Sequence, residues 1–145
     1  MDRARYDRRL SGPLLDRIDL VCELPPVPSV ELVDPAQQAE RSSAVRERVV
    51  AARDLQRSRL SGTGFHNNAE MPLALSRRHV QLGPRARTRM LEGHGSMAIT
   101  ARGHHRVLRL ARTIADLEGG RRVEADHVDE ALGFRLRSFN AEVAA

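Results

Sequence analysis

Apolar side chains recur at three- and four-residue steps in TARGHHRVLRLARTIADL (100–117), at Val107, Leu110, Ala111, Ile114 and Leu117. That period predicts an amphipathic helix with one face committed to a core. Thr100 can cap its start, and Gly119-Gly120 stops it. Arg102, Arg106 and Arg109 follow the same steps around the other side, with Arg112 at its edge. Most of this row reads as a solvated face.

The remaining elements arrange themselves around that helix. Within Pro35–Leu60, Val45, Val49, Ala52, Gln56 and Leu60 form a narrow stripe, and Glu40, Arg41, Arg46, Glu47, Arg48, Arg53 and Asp54 surround it. A stripe so narrow predicts a long arm that packs along one partner rather than inside a core. Ser61–Leu75 has no apolar period but carries Gly62, Gly64 and Asn67-Asn68, so a mobile loop is expected, with little burial from Phe65 to Asn68. Ser76–Gln81 suits a short helical turn. Pro84 opens a helix to about Gly93, with Ala86, Met90 and Leu91 inward and Gly93 and Gly95 breaking it.

In the last helix, VEADHVDEALGFRL, Val128, Ala131, Leu132 and Leu136 face the core. Val123 and Val128 have the spacing of a hydrophobic staple, and Asp126 suits the positive end of the helix dipole. At the other end of the chain, Ser11-Gly12-Pro13 can open a short helix with Leu14, Leu15 and Ile18 on one side and Asp16 and Arg17 elsewhere. Leu20-Val21-Cys22 then suits a short buried strand, ended by Pro25-Pro26. A lone strand cannot satisfy its own backbone groups, so it reads as the edge of a larger sheet.

Composition narrows the chemistry. The 145 residues are 41% hydrophobic but only 3% aromatic, so the core must be aliphatic and alanine-rich, which favours helix packing. The net charge is +5 and no lysine occurs, so every basic side chain is an arginine, permanently charged and able to fork onto phosphate or carboxylate oxygens. Basic and acidic residues alternate, as in ERSSAVRERVVAARD, which permits nucleic acid nearby without demonstrating it. The single cysteine, Cys22, excludes an internal disulfide and reads as a small buried apolar residue. No apolar run is long enough to span a membrane and no signal peptide is visible, so a cytoplasmic setting with no membrane partner is expected. The six histidines suggest metal, but His104 and His105 diverge on a helix and have no carboxylate at ligand spacing, so no metal site is expected.

LSGPLLDRIDL resembles the segment that follows the sensor-1 strand in magnesium-chelatase-like AAA+ ATPases of the ComM/YifB type. The resemblance continues in order through RSSAVRERVVAARDLQ, NNAEM and ARGHHRVLRLARTIADLEG…DHVDEAL. It implies a mainly α fold: an AAA+ C-terminal helical lid bundle with a long inserted helix, preceded by a short helix–strand remnant of the α/β ATPase core. Residues 1–34 would end the core, 35–75 would be the inserted helix and loop, and 76–139 the lid. Arg17 would be an arginine finger acting in trans, and Arg102, in the first turn of its helix, the sensor-2 residue at the ATP phosphates. Asp16 and Asp19 read as anchors of the turn around Arg17. Arg106, Arg109 and Arg112 read as solubility or interdomain salt-bridge residues.

The same resemblance implies an intact protein that uses ATP and Mg2+ in a homo-oligomeric ring. Its partners would be the protein's own ATPase core, neighbouring subunits and DNA, the last during branch migration or recombination. The chain has no GxxxxGK[ST] phosphate loop and no Walker-B strand, so it is expected to bind no nucleotide and hydrolyse no ATP by itself. Arg46, Arg53 and Arg57 are the candidate nucleic-acid contacts. Two rival readings are the motor subunit of magnesium chelatase, and a free-standing helical DNA-binding or adaptor module.

Overall fold

Thr100 accepts a hydrogen bond from the backbone N–H of Gly103 at 3.0 Å, and the helix it caps, Ala101–Leu117, is the element against which most of the others pack, the helix Pro84–Ser96 packing instead on Ala125–Val143. The computed structural model describes residues 17–22, 24–27, 40–96 and 99–143. Among these residues five α-helices form: α1 (Ser42–Leu60), α2 (Leu73–His79), α3 (Pro84–Ser96), α4 (Ala101–Leu117) and α5 (Ala125–Val143). A 3-10 turn at Asn68–Glu70 lies between α1 and α2. The architecture is mainly α, as the aliphatic composition predicts.

On α4 the buried residues are Val107, Leu108, Ala111, Ile114 and Ala115. The alanines let α5 approach closely, and its Val128, Ala131 and Leu132 complete the layer. Each large aliphatic side chain buried there contributes about 1.5–3 kcal/mol. The buried arc is turned relative to the expected one: Leu110 is half-buried and Leu117 is 44% exposed, because α5 and α1 cover the Leu108–Ala115 side instead.

α3 also departs from expectation. It runs through Gly93 to Ser96 rather than breaking there, because the missing side chain at Gly93 admits Leu132 of α5. Ala86 and Met90 are buried as expected, but Leu91 is 72% exposed. The short helix α2 begins at Leu73, three residues before the expected Ser76.

α1 starts at Ser42, with Arg41 extended ahead of it, whereas the sequence pattern places its start at Pro35; residues 35–39 lie outside the described residues. Only its C-terminal half docks. Ala52, Gln56 and Leu60 are buried, while Val45 and Val49 are 40% and 44% exposed.

Among the described residues no strand forms. The expected buried strand at Leu20–Cys22 is instead a loop, with Leu20 and Cys22 exposed, so Cys22 is not the buried residue that was expected. One backbone bond, Val21 N–H to Phe134 C=O at 3.1 Å, is all that a neighbour offers it. The expected helix ahead of Arg17 lies outside the described residues, as does the side chain of Leu136; Arg17 itself sits in a turn. An isolated parallel bridge joins Leu82 to Val123, with Val123 N–H to Gln81 C=O at 2.8 Å and Gly83 N–H to Val123 C=O at 2.9 Å. Val123 and Val128 are both fully buried, as the staple requires.

Candidate functional site

The first turn of α4 has its backbone N–H groups directed outward except where Thr100 caps Gly103, which makes it an electropositive end. Arg102 is exposed on that turn. One turn further, Arg106 Nε meets Asp19 Oδ1 at 3.0 Å, and Arg106 Nη1 donates to the Ile18 carbonyl at 3.3 Å. Arg109 Nη2 stands 3.8 Å from the same Asp19 carboxylate, and its Nη1 donates to the Ala69 carbonyl. The turn carrying Arg17 is therefore seated on the arginine row that begins with Arg102. Asp19 anchors the turn as expected, but to α4 rather than within the turn. The carboxylate side of these pairs is 57% exposed, which screens them to about 1 kcal/mol each, so the seat positions more than it stabilises. Arg17 is exposed and makes no ion pair among the described residues.

Arg112, expected on the solvated edge, is completely buried. Its Nε donates to Asp116 Oδ1 at 3.1 Å, Nη1 to the Arg121 carbonyl at 3.0 Å, and Nη2 to the Gly120 carbonyl. Burial pulls the guanidinium below its ordinary value, and Asp116 opposes the shift. Asp116 also accepts two bonds from Arg59 of α1 and one from Asn68 Nδ2 at 2.8 Å. Asn68 Oδ1 accepts a further bond from Arg59 at 3.1 Å, Asn68 Nδ2 donates to Thr113 at 3.1 Å, and the Asn68 backbone N–H donates to Gln56 at 3.3 Å. This buried network ties α1, the 3-10 turn and the end of α4 together.

Little burial was expected around Phe65–Asn68, and that expectation is corrected: Asn68 and Met71 are each 1% exposed. The i,i+4 spacing of Arg112 and Asp116 was a readable signal for half of the network. Nothing local pointed to Arg59 or Asn68.

On α1, Arg46 is exposed and Arg57 pairs with Asp54 at 2.7 Å. Arg53 borders a cleft of 240 Å³ lined also by Val49, Gln56, Asn67, Thr113 and Leu117. The three arginines named as nucleic-acid contacts are all exposed and, spaced by seven and four residues, lie along one side of α1. Two histidines, half-buried His105 and buried His127, are engaged within the fold. His105 Nε2 lies 2.8 Å from Ser76 Oγ. His127 Nδ1 accepts from the Glu124 backbone N–H at 2.8 Å, and its Nε2 meets Glu118 at 2.9 Å. Among the described residues no helix is long and apolar enough to cross a membrane.

Residues 39–135 match the model of the family described as magnesium chelatase, subunit ChlI C-terminal. The chain belongs to that family.

Relatives extend the match. Competence protein ComM of Haemophilus influenzae is 34% identical over 131 residues, covering 90% of this chain and 25% of the relative. The YifB protein of Salmonella typhimurium is 33% identical over 135 residues, with the same 90% and 25% coverage. That of Escherichia coli is 35% identical over 134 residues, again with 90% and 25% coverage. The chain spans about a quarter of the length of these curated relatives.

The helical lid expected from the sequence is thus a C-terminal domain of the magnesium chelatase type. The family match includes Arg102, the α1 arginines and every member of the buried network, but begins after Arg17. Alignments covering 90% of the chain leave too few residues outside to omit Arg17, so the relatives span both candidate arginines.

Proposed function

We propose that this chain is the C-terminal lid of a ring-forming AAA+ ATPase, in which Arg17 acts as an arginine finger and Arg102 as sensor 2. The observation that carries the reading is the contact of Asp19 with Arg106, which seats the Arg17 turn one helical turn beyond Arg102. Two exposed guanidinium groups near a helix start, where the dipole favours an anion, suit a triphosphate. The chain supplies no phosphate loop, so nucleotide and Mg2+ would be held mainly by an ATPase core, and the chain alone is expected to release no phosphate. Bound ATP supplies the phosphoryl group to be transferred. Arg17 stabilises charge that develops on it, an effect worth about a thousandfold or more in turnover. Arg102 holds phosphate in the ground state as well. The buried network fixes α1 to α4, so movement of either is passed to the other.

By the family resemblance, the whole protein would act on DNA during recombination in the cytoplasm, its ring driving branch migration. On this chain Arg46, Arg53 and Arg57 of α1 are candidate contacts. The reading is tested in the full-length protein. Arg17→Ala should leave nucleotide affinity nearly intact and cut turnover severely. Mixing that variant with subunits altered in the phosphate-loop lysine should restore part of the activity, because intact composite sites form where the two kinds meet. Turnover close to that of the parent protein in Arg17→Ala alone would overturn the assignment.

A further inference from the structure

Several arginines of this chain have counter-ions. Arg48 pairs with Glu40, Arg57 with Asp54, Arg59 and Arg112 with Asp116, Arg89 with Glu92 and Asp129, and Arg106 with Asp19. From residue 61 onward, the arginines with described side chains that make no ion pair or side-chain hydrogen bond are Arg77, Arg78, Arg85, Arg87, Arg121 and Arg122. All six are exposed, and backbone pairing between 81–83 and Val123 joins the segments that carry them.

The parallel bridge is what gathers them. Val123 bonds to both Gln81 and Gly83, so Arg121-Arg122 runs alongside the chain leaving α2, whose last turn carries Arg77 and Arg78. Arg85 and Arg87 follow immediately in the first turn and a half of α3. The Arg121 loop is held from within, because buried Arg112 binds the Gly120 and Arg121 carbonyls while the Arg121 and Arg122 side chains stay in solvent. Two acids lie nearby, so the six arginines outnumber the carboxylates beside them. Glu118 is engaged by His127, and the Glu124 carboxylate packs over Gly83. A fixed cluster of forked cations without counter-ions is matched by closely spaced phosphates.

We infer that the arginine edge formed by Arg77, Arg78, Arg121 and Arg122, flanked by Arg85 and Arg87, binds the phosphodiester backbone of duplex nucleic acid. Among the described residues the aromatic side chains are Phe65 and Phe134, both packed against the core, so none is presented as a platform for stacking single strands and backbone contact with a duplex is the mode that fits. Such binding is independent of base sequence and sensitive to salt. The inference does not rest on the nucleotide reading above and can fail without it.

The test uses this 145-residue chain and a fluorescein-labelled duplex of random sequence, with anisotropy followed across roughly 50 to 200 mM salt. Replacing both arginines by glutamine (R121Q/R122Q) should weaken binding at least tenfold. It should also flatten the slope of log affinity against log salt by about 1.8, at about 0.9 per lost phosphate contact. R121K/R122K, which keeps the charge, should retain most of the affinity. If the glutamine pair loses helicity by circular dichroism, R77Q/R78Q on the exposed side of α2 gives the same readout. No binding by the parent chain, salt-independent binding, equal loss in the lysine and glutamine pairs, or displacement of the duplex by polyglutamate at equal charge concentration would each overturn the inference.

Discussion

Arg59 at the end of α1 and Asp116 at the end of α4 form a two-pronged ion pair across 57 positions of sequence, with the carboxylate fully buried and the guanidinium side chain 18% exposed. The two partners are not equivalent. Asp116 also neutralises Arg112, so Asp116→Asn leaves one buried arginine uncompensated, at a cost of about 3–5 kcal/mol. Arg59→Gln leaves Asp116 with Arg112 and Asn68 and should cost about 1.5–3 kcal/mol. Urea denaturation of the two variants decides; equal losses would mean that Asp116 serves Arg59 alone.

Asn68 is the second anchor. Its side chain binds Arg59, Thr113 and Asp116 while nearly inaccessible, and Asn68→Ala leaves those partners short of bonds at about 1–3 kcal/mol each. Asn67 bonds only to Glu70, accepting from its backbone N–H at 3.2 Å and donating to its carboxylate at 2.6 Å, both exposed, so Asn67→Ala should cost about 1 kcal/mol. In limited proteolysis the first cut is expected at Gly62–Gly64, where φ is +77° and +80°, rather than at Phe65–Met71. Cleavage beginning at Asn68 would contradict the packing described for it.

These residues also show what the sequence could convey. The period of α4, the Thr100 cap, the Gly119-Gly120 stop and the Val123–Val128 staple are local signals, and each element formed. Arg112 and Asn68 were misread because their surroundings are assembled from distant segments. An arginine at the edge of an apolar face is solvated unless a carboxylate and two loop carbonyls meet it, and the carbonyls come from the loop beyond the helix. Two consecutive asparagines read as a loop until Arg59 and Asp116 converge on one of them. The Arg17 turn lies between these cases: its motif was legible, but its seat on Arg106 depends on how two segments pack.

Two helical glycines should respond oppositely to alanine. A Cβ at Gly103 would lie 2.9 Å from Ile99 Cγ2 and 3.5 Å from Arg135 Nη2, so Gly103→Ala should destabilise by about 1–3 kcal/mol. At Gly133 a Cβ meets nothing within 4 Å, and Gly133→Ala should stabilise α5 by about 0.5–1 kcal/mol. Thermal melts of both variants, run side by side, test the contrast; a shift in the same direction for both would refute it.

His105 gives stability a pH dependence. Burial, then Arg109, His104 and Arg106, hold its imidazole below the ordinary 6.5, against a weaker opposing pull from Asp19. The unfolded chain therefore binds this proton more readily than the folded one. The contribution is fully present above 6.5 and is lost as pH falls from there through the lower folded value. His105→Gln removes that slope and can still bond Ser76. Unfolding midpoints measured on both sides of 6.5 should converge with the parent chain as pH falls. Parallel curves would show that His105 is not the group responsible.

The last prediction concerns which subunit the two candidate arginines serve. Asp19 binds Arg106 at 3.0 Å, so Arg17 and Arg102 are carried on one seated unit. If that unit faces a neighbouring subunit's nucleotide, both arginines act in trans from the same surface. In full-length protein, Arg17→Ala should then lower turnover with little effect on nucleotide affinity, because a finger acts on transition-state charge. Arg102→Ala should lower both. Mixing the two variants should not restore activity, since every site in a mixed ring still lacks one arginine. If instead one arginine served its own subunit's nucleotide, half of the junctions between the two variants would regain an intact site. Phosphate release from mixed rings therefore reports the arrangement directly. Recovery toward parent turnover in the Arg17→Ala and Arg102→Ala mixture would place the arginines on different nucleotides, and the shared seat on α4 would no longer support a common trans-acting surface.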